Sequence, residues 1–179
     1  MIKAILVLFF LFIFDNLLVI FLPIQPIFDQ YTIVPYLMVM GLCMATFFDE
    51  KKWSIWLAVV FGFLYDSYFF NITGLFMTLL PLVVLLIKKF IVNVTPFNFI
   101  SVFYVISITI LSLEFIVYIL IVIITSRTNT LFAFIGQRLL ITLVFNSLLL
   151  GLLYVPLKKI LQPKDERKVK TIMTDNTSA

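Results

Sequence analysis

Residues 53–89 read WSIWLAVVFGFLYDSYFFNITGLFMTLLPLVVLLIKK, and this stretch decides the fold. Two apolar runs flank a short turn at 67–73, so the pair forms an antiparallel helical hairpin. Asp66 lies just inside the first run, four residues after Gly62 and eight before Gly74. A carboxylate at the lip of an apolar segment is expensive to place and needs a local partner or a functional reason. Two readings follow. Asp66 caps the second arm by accepting backbone N–H groups at Gly74 or nearby. Gly62 and Gly74 also permit close approach, so that the hairpin with its acid positions a partner's helix. The two readings can coexist, because a cap would hold the presenting turn rigid.

Composition sets the class. The 179 residues are 63% hydrophobic and only 12% charged, with a mean hydropathy of +1.19, which is outside the soluble range. The chain has room for about six spans of ~20 residues each, and no remaining segment is long enough to fold alone. The expected organisation is a six-helix transmembrane domain over 1–157, then a basic, unstructured tail over 158–179. Histidine is absent, and the single cysteine, Cys43, sits in an apolar run. With no nucleophile–base pair, metal-ligand spacing, P-loop or dinucleotide glycine pattern, the sequence predicts no enzyme, cofactor or metal. Basic residues beside spans set topology first, so nucleic acid is not an expected partner.

Taken in order, residues 4–22 form a retained first helix, interrupted by Asp15, with no small-x-small cleavage site after it. The second run, Val34–Phe48, opens with Pro35, which suits a first helical turn. It also carries Gly41 and Ala45 at a spacing that allows close helix contact. The DEKK tetrad at 49–52 leads into the hairpin, whose second arm contains Pro81. Phe97–Thr125 and Leu131–Leu157 complete six runs. Of thirteen Lys and Arg residues, eleven fall at 1–3, 49–52, 88–96 and 158–179. Six spans place all those segments on one side, and the positive-inside rule makes that side, with both termini, cytoplasmic.

This topology puts Asp15 and Arg138 each ~10 Å from the outer face and Glu114 ~12–18 Å in, at ~1.5 Å per residue. Isolated, each costs roughly 2.5–3.5 kcal/mol to insert. Glu114 and Arg138, matched in depth on consecutive helices, pair to relieve both. A polar cleft open to the outside is the functional alternative. Trp53 and Trp56 serve as interfacial anchors, and the Asn-x-Thr triplets at 71–73 and 93–95 arise by chance.

Pro35 opening helix 2, the run Gly62-Phe63-Leu64-Tyr65-Asp66, and Gly74 eight residues after the acid resemble the MreD family of rod shape-determining membrane proteins. A last helix with Asn146 and Pro156 and a small basic tail fit the same frame. The resemblance implies a non-enzymatic component of the cell-elongation machinery in the bacterial plasma membrane. Its implied partners are an MreC-like bitopic protein and, through it, the polymerase and transpeptidase of peptidoglycan synthesis, within a setting of membrane lipids. The family is also similar in fold to substrate-binding subunits of energy-coupling-factor vitamin transporters, which supplies the alternative function. Those subunits dock through small residues on helix 1, where this chain has only Ala4.

Overall fold

The computed structural model describes residues 2–21, 33–49, 53–67, 74–92, 97–125 and 131–162. The 68–73 part of the hairpin turn, both Asn-x-Thr triplets, Arg127 and the tail from 163 lie outside the described residues. Every regular element among the described residues is helical. The helices are α1 (Ile2–Phe21), α2 (Leu37–Phe47), α3 (Trp53–Tyr65), α4 (Leu75–Ile87), α5 (Phe99–Thr125) and α6 (Leu131–Leu161). Among the described residues π-helical winding covers Lys88–Val92, continuing α4, and Ile135–Leu139 inside α6, and residues 66–67 after α3 share it.

Among the described residues, three helices are long and apolar enough to cross a membrane: Ile2–Ile20, Phe99–Leu120 and Leu131–Leu161. Helices α2, α3 and α4 are shorter, at 11, 13 and 13 residues. The apolar residues of the long helices divide cleanly by environment. Phe9, Phe10 and Ile13 on α1, Ile100, Tyr104 and Ile108 on α5, and Val144, Leu148 and Leu152 on α6 all point outward. In water such a surface would aggregate, whereas in hydrocarbon it is the expected one.

The short α2 is the hub. It packs against α1, α3, α4, α5 and α6, and Leu37 through Thr46 are all buried. A helix apolar on every side belongs inside a bundle. Gly41 lies against Leu8 and Leu11 of α1, where an added Cβ would press on both side chains.

The sequence places the start of the second helix at Val34, with Pro35 in its first turn. In the structure α2 begins at Leu37, and residues 33–36 are non-helical. Pro35 thus precedes the helix instead of opening it. Proline steers its predecessor out of the helical region, and distant side chains satisfy the backbone that the lost turn would have paired. The fifth helix begins at Phe99, two residues later than expected, because the side chain of Asn98 accepts the backbone N–H of Ser101 at 2.7 Å and caps it.

Candidate functional site

A helix has four orphan N–H groups at its start, and at membrane depth water cannot satisfy them. In this chain each of the three short helices receives a buried aspartate there.

Asp15, about two-thirds of the way along α1, serves α2. Its Oδ1 accepts from Leu37 N at 2.8 Å and its Oδ2 from Met38 N at 2.9 Å. Tyr65 of α3 adds its hydroxyl to Oδ2 at 2.9 Å. The carboxylate is fully buried. Three donors and the positive end of a helix dipole stabilise it, with each charge-assisted bond worth ~1.5–3 kcal/mol. Those bonds offset part of the insertion cost of the acid. The sequence marks Asp15 as an intramembrane charge, but nothing local reveals that its partner begins twenty-two residues on.

Asp66 serves α4. Its Oδ1 accepts from Phe76 N at 2.7 Å, and its Oδ2 from Gly74 N at 2.9 Å and Met77 N at 3.0 Å. The capping geometry, which can coexist with a partner-positioning role, is present. Gly74 holds φ +114°, a left-handed conformation that glycine adopts without strain. Gly62 is buried against α4 itself. A Cβ there would lie 2.4 Å from the carbonyl oxygen of Phe76 and 2.7 Å from the Cα of Met77. The close approach at Gly62 is therefore made by a backbone of the same chain.

Asp49, read in the sequence only as part of a topological charge cluster, serves α3. It accepts from Trp53 N at 3.2 Å and Ser54 N at 2.8 Å, and the Ser54 hydroxyl also donates to it. Lys88, at the end of α4, completes the site with an ion pair of 2.8 Å. Burial pushes the Asp49 carboxyl up, but the bonds from Lys88 and Ser54 outweigh it and hold the group below the ordinary carboxylate range. Asp four residues ahead of a tryptophan-led apolar run was the available signal for this cap.

The fourth arrangement is the stretch 33–36. Asn146 of α6 accepts Tyr36 N at 2.9 Å and donates to Val34 O at 2.8 Å, while Thr142 accepts Val34 N at 3.4 Å. Pro35 brings no N–H to satisfy. The Tyr36 hydroxyl then donates to Glu114 Oε1 at 2.9 Å. Arg138 donates from Nε to Glu114 Oε2 at 2.7 Å, with the Glu114 side chain fully buried and that of Arg138 one-quarter exposed. The matched depths of these two residues in the sequence lead to the same pairing.

A hub helix, three short helices capped by aspartates, and the Pro35, Gly62, Asp66 and Gly74 positions all in structural use describe a chain built around its second helix and its hairpin. The model of the family described as rod shape-determining protein MreD matches residues 1–164. The chain belongs to the MreD family. Family membership and the three apolar spans make it a membrane protein of cell-shape determination. No curated protein and no solved structure matches the chain. In this MreD-family protein, the residues that resemble the family pattern lie just before α2, at the end of α3 and at the start of α4. Tyr36, Tyr65, Asp49 and Thr142 join them in the structure without having been marked as site residues in the sequence.

Proposed function

We propose that this protein is a non-enzymatic scaffold of the cell-elongation machinery that binds an MreC-like bitopic partner and, through it, the peptidoglycan polymerase and transpeptidase. The observation that carries this reading is the use made of the buried carboxylates. Asp15, Asp66 and Asp49 each cap a neighbouring helix, and Glu114 is held by Arg138 and Tyr36. Groups engaged this way rigidify a framework, whereas a catalytic acid needs an exchangeable proton within reach of a substrate.

The topology proposed with it has six spans and both termini in the cytoplasm. Helix α2 gives ~16 Å at 1.5 Å per residue, and the non-helical 33–36 up to ~13 Å more, so together they approach the ~30 Å hydrocarbon core. Such irregular backbone is tolerated at membrane depth because protein surrounds it.

With Gly62 facing α4, the partner's place on the hairpin is its outward face, carrying Trp56, Val60 and Phe63 of α3. Replacing the chain in its host with a Val60→Trp, Phe63→Ala variant tests this. The variant should accumulate in the membrane yet leave cells misshapen, whereas wild type restores their shape. Full restoration by the variant would move the interface elsewhere. The vitamin-carrier alternative is disfavoured by α1, whose outward face is formed by Leu6, Phe9, Phe10 and Ile13 where those carriers use small residues.

A further inference from the structure

Along α6 the buried positions change step. Leu139, Thr142, Asn146 and Leu150 follow one another three or four apart, but the buried residue before Leu139 is Phe134, five back. In an unbroken α-helix, at ~100° per residue, Phe134 would lie ~80° around from Thr142. The π turn at Ile135–Leu139 acts as one inserted residue and cuts that angle to ~20°. Phe134 thereby stacks on Tyr118 of α5, with ring centroids 4.3 Å apart, while Thr142 and Asn146 hold Val34 and Tyr36.

Winding as α-helix is the local preference, and π turns are rare. Nothing at Gly136, in the middle of the turn, imposes the π form. It is exposed, and a Cβ there would meet no atom of the described residues within 4 Å. The contacts on either flank impose it instead. Phe134 is held by Tyr118, and Arg138 by Glu114, with Nε 2.7 Å from Oε2. Glu114 is tied in turn, through the Tyr36 hydroxyl, to the stretch that Asn146 grips.

We propose that this π turn is a two-state joint in α6, with the Arg138–Glu114 pair as its latch. Once released, 135–139 rewinds as α-helix, and Leu131–Phe134 screws by one residue, ~100° and ~1.5 Å, relative to the rest of α6. Phe134 leaves Tyr118, and Ile135 takes its place. The packing around α2 is kept, because Thr142 and Asn146 lie beyond the joint. Local helix preference drives the rewinding, and tertiary contacts oppose it. The motion needs no partner on the hairpin and is independent of the function proposed above.

Pulsed electron-spin distance measurement on the full chain in lipid vesicles tests this. Nitroxides are placed on Phe132→Cys and Leu148→Cys, both exposed on α6, in a Cys43→Ala background. Rewinding should lengthen the distance between them by roughly 3–6 Å, at ~1.5 Å and ~100° per residue. Wild type should give mainly the short distance. Arg138→Gln should raise the ratio of long to short about tenfold, the worth of one charge-assisted hydrogen bond. Phe134→Ala, which leaves the ion pair intact, should raise it as well. Deleting Gly136 removes the inserted residue, so that chain should show the short distance alone, even with Arg138→Gln added. The short distance alone in both Arg138→Gln and Phe134→Ala would overturn the proposal, as would a long population that survives the Gly136 deletion.

Discussion

Asp15 of α1 accepts the backbone N–H of Leu37 at 2.8 Å, and so an acid within one membrane helix starts another. The second helix is the most buried element of the fold, and its first turn depends on that carboxylate. Asp15→Leu should leave Leu37 and Met38 N–H unsatisfied, at about 1–3 kcal/mol each. Asp15→Asn keeps one acceptor and should fall between Leu and wild type. Thermal unfolding of the purified protein in detergent gives the order. Equal melting of all three would mean that the cap contributes nothing.

Glu114 and Arg138 offer a second test. Breaking a buried pair from either side costs about 3–5 kcal/mol, because the remaining charge is left alone. Glu114→Gln and Arg138→Gln should each lower folded yield and melting temperature, and the double variant should lose less than their sum. Tyr36→Phe, which removes only the hydroxyl bond to Glu114, should cost about 1.5–3 kcal/mol or less. Strictly additive losses would mean that the pair does not form in the membrane.

At Gly62 the backbone of α4 leaves no room. Gly62→Ala should destabilise by roughly 1–3 kcal/mol through overpacking, and Gly62→Leu should abolish accumulation. Expression levels and protease resistance in isolated membranes report both. A fully stable Gly62→Leu protein would place α4 farther from α3 than the 2.4 Å clearance at Phe76 O allows.

The Asp49 site carries a pH signature. A carboxyl held low in the folded protein adds stability above its unfolded pKa, about 3.9, and loses it as pH falls through the folded value. Melting measured from pH 6 to pH 3 should therefore drop more steeply below about pH 4 for wild type than for Asp49→Asn. Parallel curves would show that Lys88 and Ser54 do not hold the group down.

Much of this was legible in the chain. The apolar runs, the hairpin and the Glu114–Arg138 pair follow from hydropathy and depth, which are properties of single residues and short windows. The Asp66 cap was one of two open readings, because its partners lie within eleven residues. The start of α2 was misplaced for the opposite reason. Residues 33–36 are kept out of the helix by Asn146 and Thr142, more than one hundred positions away, and no local propensity encodes that. Asp49 was overlooked because charge beside a span already had a topological explanation.

In the function proposed above, this MreD-family protein holds a bitopic partner on the outward face of its hairpin. Affinity purification of the tagged chain from its own membranes in mild detergent, with the MreC-like protein followed by immunoblot, tests it most directly. We expect the partner to co-elute with wild type and with Leu152→Ala on the exposed surface of α6, and to be lost from the Val60→Trp, Phe63→Ala variant while that variant stays folded. A folded wild-type chain that elutes without the MreC-like protein, or a hairpin variant that retains it, would contradict the claim.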